Sequence, residues 1–485
     1  MLRQACFVLL FQIVGGAAFA QEGVPLFTLD FPPEEFSQRR ASVFDAIGRD
    51  AIALLQGAPS PAGYTRFRQS NEFYYLCGIE SPHAYLLLDG SLHRASLYLP
   101  HRNDRRERSE GKLLSAEDEE LIRTLSGIDA VYGIDLLNEH LARFGRGAVT
   151  TLYTPFAPAE GFAMSRDLAL RAIGDAAADP FDGRPPREGQ LIQLVRSRFP
   201  HFETKNLTPI LDDLRLIKSP REIALIRKST VLSGLALMEC MRSTVLGLTE
   251  YELDAVAKYF YYRNGAQGEA YYSLVASGPN AWYGHYNAGK RVMQDGDFLL
   301  MDFAPDFSYY MSDLTRMWPV NGRFNVWQRE LYGFYLACYK TILKAIRPGH
   351  TAQQIKQAAS SDMEKILAAS KFSKPSYEKA AREFVSTYKT SANNPRTSLG
   401  HWTGMATHDV GQDLGPLRPG MVFTIEPALR VPEEQINIRL EDLIVVTSTG
   451  AEIVSAFVPM EIDEIEKLMR EEGMLQRYPR SEKIR

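Results

Sequence analysis

Two stretches of this chain share one form, and together they narrow its possible folds more than any other feature. Gly296-Asp-Phe-Leu-Leu-Met-Asp302 and Gly420-Met-Val-Phe-Thr-Ile-Glu426 each run from a glycine through an apolar, strand-like segment to a carboxylate six residues on. Each is followed by a second strand with another acidic residue, Asp313 in Ser312-Asp-Leu-Thr-Arg316 and Glu441 in Ile438-Arg-Leu-Glu441, and each is preceded by long helical segments. Two such halves facing one another would bring four carboxylates to a common centre. A carboxylate within an apolar strand costs several kcal/mol if it is buried, charged and unpaired. One alone would be satisfied by an ordinary salt bridge, to Arg316 or Arg439. Four together would not, because two arginines cannot neutralise four charges unless an acid among them is protonated. Two divalent cations would balance them in full. An oxygen-rich site with one imidazole suits Mn²⁺, Co²⁺ or Fe²⁺ and also accepts Zn²⁺. Paired metals of this kind activate water and polarise a carbonyl, which is the chemistry of hydrolysis.

The imidazole is harder to choose. His401 and His408 lie seven apart in Leu399-Gly-His-Trp-Thr-Gly-Met-Ala-Thr-His-Asp-Val-Gly411. Gly400, Gly404 and Gly411 argue against a helix there, so helical spacing cannot place the two on one face. A histidine in a glycine-rich turn is by default a surface residue. That reading also serves His83, His93, His101, His140, His201 and His350. Trp318 and Trp402 read as packing residues.

The chain has 485 residues, too many for one ordinary core, and predicts at least two domains. Residues 40–210 alternate strands such as Ala84–Leu88 and Ala95–Leu99 with helical stretches such as Ala116–Leu125. Asp179–Gly189, rich in proline and glycine, reads as a surface loop. At Ser219-Pro-Arg-Glu222 a serine cap, a proline and a glutamate predict a helix start, and a domain boundary near residue 218 follows. Thr249–Glu252 and Thr351–Gln354 repeat that signal. The formal charge of −4 makes no case for nucleic acid. The basic run from Arg102 to Lys112 is interrupted by acids and reads as a solvated loop. Residues 1–20 read as an export signal: Arg3, the apolar run Phe7–Val14, then Ala18-Phe-Ala20 ahead of Gln21. The run is too short to anchor the chain in a membrane, so a periplasmic or secreted location is expected. Removal of that segment leaves Cys77, Cys240 and Cys338, which allow at most one disulfide and form no thiolate metal site.

Taken in order, Asp302, Asp313 in Asp-Leu-Thr-Arg, Gly400-His401, Thr424-Ile-Glu-Pro427 and Ile438-Arg-Leu-Glu-Asp442 resemble the five-ligand signature of the methionine aminopeptidase, prolidase and creatinase peptidases, and the aminopeptidase P branch most closely. Leu216-Ile-Lys-Ser-Pro220, Trp318-Pro-Val-Asn-Gly322 and Phe67–Leu76 extend the resemblance over most of the chain. It implies an α/β fold: a signal peptide at 1–20, an N-terminal α/β domain at 21–217 and a "pita-bread" catalytic domain with two pseudo-symmetric halves at 218–485. By the same resemblance Asp302, Asp313, His401, Glu426 and Glu441 would hold two divalent ions, Mn²⁺ foremost. Glu426 would also take the proton of the attacking water. His285 and His408 would contact substrate and stabilise the tetrahedral intermediate, with Arg430 and Arg439 also facing the substrate.

The implied activity is removal of an N-terminal residue, preferentially ahead of proline, from peptide substrates. The alternatives are a prolidase-type dipeptidase, a non-catalytic peptide-binding relative and a metal-free creatinase-like enzyme; loss of ligands would favour either of the last two, and none is lost. The resemblance also implies homo-oligomer contacts through the N-terminal domain. Two positions depart from the pattern. Thr397 stands where relatives carry a histidine four residues before His401, and Arg430 replaces a tyrosine. Neither is a ligand, but both bear on the proline pocket and on the path of the remaining peptide.

Overall fold

A computed structural model describes residues 29–145, 147–411 and 415–481. The expected export signal at 1–20 lies outside them. The first region is built on a mixed six-stranded sheet in the order β4-β3-β2-β1-β5-β6: β1 Ala51–Gln56, β2 Tyr85–Asp89, β3 Arg94–Leu99, β4 Ala130–Gly133, β5 Thr151–Thr154 and β6 Glu203–Asn206. The central strands are apolar and buried, as strands covered on both faces must be. The basic run is a short exposed helix, Asp104–Glu110, rather than a loop, because Asn103 caps it by accepting from the Arg106 N–H. Arg106 pairs with Glu110, and Arg102 and Lys112 pair with Asp118. The 179–189 loop is shorter than its composition suggests. Pro186 caps a helix, Arg187–Arg198, that absorbs Gly189.

The second region opens with the helix Pro220–Ser243, where Ser219 and Glu222 form the capping box the sequence predicts. Thr249/Glu252 and Thr351/Gln354 do the same for Glu250–Arg263 and Ala352–Ala369. These helices, with Val326–Ala345 and Pro375–Ser391, accompany short antiparallel sheets. The strands are β7 Gly268–Glu269, β8 Leu274–Ser277, β9 Phe298–Asp302, β10 Pro305–Phe307, β11 Tyr310–Met311 and β12 Thr315–Pro319, then β13 Val422–Ile425, β14 Ala428–Val431, β15 Ile436–Arg439, β16 Asp442–Val446 and β17 Ala451–Ile453.

The repeat in the sequence is a repeat in space. In the first half β9 ends on Asp302, the chain makes the β10–β11 hairpin, and β12 returns antiparallel to β9 with Asp313 two residues before it. In the second half β13 ends just before Glu426, the chain makes the β14–β15 hairpin, and β16 returns antiparallel to β13 with Glu441 immediately before it. Gly296 and Gly420, at φ 84° and 91°, start both units in a backbone region that penalises other residues. A hydrogen bond from the Glu441 N–H to the Thr315 carbonyl, 3.1 Å, joins the halves.

One apolar core holds this region, with Met301, Phe303, Trp318, Tyr335, Tyr339, Phe423 and Ile425 all nearly inaccessible. A second core crosses between the regions: Phe73 and Tyr74 pack with Tyr309, Tyr310, Met405 and Val422. The N-terminal region therefore packs directly against the segments that carry the acidic residues. Cys77, Cys240 and Cys338 are buried and free. Among the described residues no helix is long and apolar enough to cross a membrane.

Candidate metal centre

Strand ends position the acids. A strand that terminates on a carboxylate presents it at the rim of the sheet, and here four rims meet. Asp302, Asp313 and Glu441 are at most 5% exposed, whereas Glu426 keeps 27% of its side chain open. The His401 Nε2 lies 3.2 Å from Glu426, 3.4 Å from Asp313 and 3.9 Å from Glu441. Single ligand atoms of Asp313, His401 and Glu441 all lie within 4.8 Å of one another. The His401 Nδ1 is 3.2 Å from the Trp402 carbonyl, a contact that aims the other ring nitrogen at the carboxylates. Gly400 is obligatory for this approach, because a Cβ there would overlap the Thr424 carbonyl.

Four carboxylates face two cationic side chains. Arg439 bonds to Asp302 and lies 3.5 Å from Glu426, but Arg316 is not available to them. It is fully buried against Asp442 at 2.6 Å and donates to the Glu441 carbonyl. The charge excess is met by protons. Burial, then the neighbouring Asp313, pushes Asp302 up to about 7 against the opposing pull of Arg439. Burial and the three other acids push Glu441 well above the usual carboxylate range. Burial resists ionisation of Asp313 too, but His401 and Tyr271 outweigh it and hold that carboxyl below its ordinary value. For His401 burial disfavours the charged ring, yet Asp313 and Glu426 prevail and raise it to about 10. One Glu441 oxygen, Oε1, is buried with no hydrogen-bond partner. A buried, orphaned carboxylate oxygen among like charges is a position a divalent cation satisfies, and the residues present fit such an ion.

Around this centre stand the residues expected to face a substrate. The rings of His401 and His408 are 4.2 Å apart between centroids. The His408 Nδ1 meets Asp167 at 3.0 Å, a residue of the helix Arg166–Ala178 in the N-terminal region. His285 is exposed, yet partial desolvation, followed by the charges of Arg439 and His408, lowers its pKa. Arg430 is exposed on β14, its guanidinium 5.6 Å from the Trp282 ring centroid. Arg439 belongs instead to the centre itself, 8% exposed and committed to Asp302 and Glu426. Thr397 turns from the centre to accept from the buried Lys356 ammonium at 2.8 Å. Together with Leu399, Trp402 and Phe423 it lines a cavity of about 300 Å³. Trp318 is wholly buried, its indole N–H on Thr244.

Sequence reasoning misses three groups of residues. Tyr271 donates its hydroxyl towards both Asp302 and Asp313, at 2.5 Å each. Thr315 donates to Glu441 at 2.8 Å. The turn between His401 and His408 is held from the N-terminal side: Asn71 donates to the Met405 carbonyl, and Arg215 and Lys218 take the two oxygens of Asp409. The tyrosine has no motif around it. The lysine lies within Leu216–Pro220, a stretch whose resemblance points at the site without saying why.

Comparison with known proteins agrees with the geometry. Residues 224–448 match the family model for metallopeptidase family M24, and residues 36–153 match that for the aminopeptidase P N-terminal domain. The Xaa-Pro aminopeptidase of Escherichia coli K12 is 29% identical over 469 residues, 90% of this chain and 97% of that protein. Xaa-Pro aminopeptidase 3 of Rattus norvegicus is 30% identical over 423 residues, 83% and 76% of the two chains. Among solved structures, E. coli aminopeptidase P with the inhibitor Pro-Leu superposes with a TM-score of 0.72 at 28% identity, covering 91% of this chain and 98% of that one. Converging acids on paired half-sheets, one histidine between them and similarity running through both regions have a single common account: the chain belongs to metallopeptidase family M24, as an enzyme that uses divalent metal behind an aminopeptidase P-type N-terminal domain.

Proposed function

We propose that this enzyme removes the N-terminal residue from peptides whose second residue is proline, with two divalent ions, Mn²⁺ foremost, held by Asp302, Asp313, His401, Glu426 and Glu441. The observation that carries the reading is the gathering of Asp313, Glu426 and Glu441 around His401, with Asp302 joined to Asp313 through the Tyr271 hydroxyl and an orphaned Glu441 oxygen among them. The similar proteins named Xaa-Pro aminopeptidase support the substrate class. Ions bound there would polarise the scissile carbonyl and activate water.

The protein's own groups do the rest. Glu426, the most open of the four acids, is placed to accept a proton from water entering the centre and to pass it to the leaving amine. His408, fixed by Asp167, and His285, whose lowered pKa favours the neutral ring, face the scissile carbonyl as donors to the oxygen that gains charge. The Glu426→Gln protein is expected to bind Mn²⁺ with near-normal stoichiometry yet lose at least 10³-fold in kcat, on the order of a lost general base; full activity in that variant would overturn its role.

A panel of peptides varying the second residue, assayed with Mn²⁺, Co²⁺ and Zn²⁺ and after chelation, tests substrate and metal together. Cleavage of an Xaa-Pro dipeptide alone, and not of a longer Xaa-Pro peptide, would replace the aminopeptidase reading by the dipeptidase one. The composition of residues 1–20 supports export, which cell fractionation with N-terminal sequencing at Gln21 would check. Homo-oligomerisation completes the proposal and is read by sedimentation.

A further inference from the structure

Four arginines in and around the centre are tied to acids: Arg166 to Glu72, Glu160 and Asp212, Arg215 to Glu160 and Asp409, Arg316 to Asp442, and Arg439 to Asp302. Two exposed arginines beside the metal centre are not. Arg430 extends from β14 over Trp282, with its Nη2 3.9 Å from where a side chain at Gly284 would begin, immediately before His285. Arg171 lies on the helix Arg166–Ala178, one turn beyond Asp167. Residues four apart share a helix face, and Asp167 touches His408, so Arg171 stands on the side of the helix that faces the centre. Its positive charge is felt at His285. Among the described residues neither guanidinium has an acidic partner. Both thus lie near His285, Arg430 beside the residue before it and Arg171 close enough for its charge to reach the ring, and an anion there would be attracted to both.

Two guanidinium groups without acidic partners thus lie beside His285 at the mouth of the metal centre, and a short peptide in its zwitterionic form carries a carboxylate at its far end. An aminopeptidase cuts after the first residue, so a tripeptide extended at about 3.3–3.6 Å per residue carries its carboxylate roughly 7 Å past the scissile bond. Guanidinium groups bind carboxylates in paired, charge-assisted hydrogen bonds.

We propose that Arg171 and Arg430 bind a carboxylate on the leaving side of the peptide, so that this enzyme favours short free-acid peptides over longer or amidated ones. The inference rests on the aminopeptidase reading above and adds a substrate class to it. Two sources offer that chemistry, the C-terminus itself and the side chain of an acidic residue near it.

The test compares Ala-Pro-Ala, its C-terminal amide, and the amide of Ala-Pro-Asp with the Mn²⁺-loaded enzyme at low salt. The free acid is expected to exceed the plain amide about tenfold in kcat/KM, chiefly through KM, with the advantage shrinking as salt screens exposed charges. In Arg171→Gln/Arg430→Gln the ratio should fall to about one, and the double lysine variant should restore part of it. Because the ratio is taken within each variant, a general loss of rate does not imitate the result. Rescue by Ala-Pro-Asp amide assigns the clamp to carboxylates from either source, and failure of that rescue assigns it to the C-terminus. Equal cleavage of acid and amide by the unaltered enzyme, or a ratio untouched by the double substitution, overturns the proposal. If neither peptide is cleaved, the aminopeptidase reading falls instead. Calorimetry of the acid and the amide on Glu426→Gln protein then decides the clamp by the ratio of their Kd values.

Discussion

Tyr271 offers the sharpest check on the centre, because it can lose one oxygen and nothing else. Its hydroxyl lies 2.5 Å from Asp302 and 2.5 Å from Asp313, and its ring packs beside Ala270, Ala304 and Met311. Tyr271→Phe keeps that packing. One proton cannot serve both acids fully, so the change removes one strong charge-assisted bond and one weaker contact. A hydrogen bond to a charged group contributes about 1.5–3 kcal/mol, but the same contacts exist with and without metal, and only the difference is read. The Tyr271 hydroxyl favours ionised aspartates, the form that binds a cation, so its loss lets protons compete better. Removing a group one step behind a metal ligand typically costs 10–100-fold in affinity, about 1.4–2.7 kcal/mol. The expected outcome is a Kd for Mn²⁺ weaker by that factor, measured by calorimetry on chelator-treated protein at fixed pH, with the melting temperature of the metal-free form lowered by only a few degrees. An affinity within twofold of the unaltered protein would refute the reasoning and leave the tyrosine a packing residue.

Other outcomes follow from the same structure. Asp302 at about 7, Glu441 well above the carboxylate range and His401 at about 10 all hold protons in the metal-free centre near neutrality. Metal requires their deprotonated forms, so Mn²⁺ binding should release protons, and affinity should rise with pH through 7; calorimetry in buffers of different ionisation enthalpy counts the protons, and none released would contradict the assignment. Gly400→Ala should lower both the melting temperature and metal affinity, since its Cβ meets the Thr424 carbonyl while the next residue is His401. Arg316→Met should destabilise the fold by about 3–5 kcal/mol in urea unfolding, because it leaves Asp442 buried without its cation.

How much of this centre is legible in the chain depends on which contacts follow strand periodicity. The acids announce themselves because a carboxylate ending an apolar run needs an explanation, and the explanation scales with their number. Tyr271 does not, because it reaches Asp302 and Asp313 from 31 and 42 residues away through a loop whose path only the folded sheets define. His401 lies between these cases: its spacing to His408 is uninformative, and only the motif order singles it out. The two arginines are more instructive. Each stands near an acid of the centre and each is a plausible partner for it, yet the structure gives Arg439 to the centre and Arg316 to Asp442.

Strand parity explains the difference. Successive side chains in a strand point to opposite faces. Arg439 is two residues from Glu441 and shares its face. Arg316 is three residues from Asp313 and one from Thr315, whose hydroxyl meets Glu441, so it faces away. Asp442, one residue past Glu441, faces away as well, and the two meet on the far side with Tyr339 donating to the same carboxylate. The charge deficit at the centre thus follows from odd and even spacing alone. Parity removes one of the two arginines that might have neutralised the acids, and the remaining imbalance of four carboxylates against Arg439 and His401 is what makes the site a binder of divalent cations rather than a closed salt-bridge network.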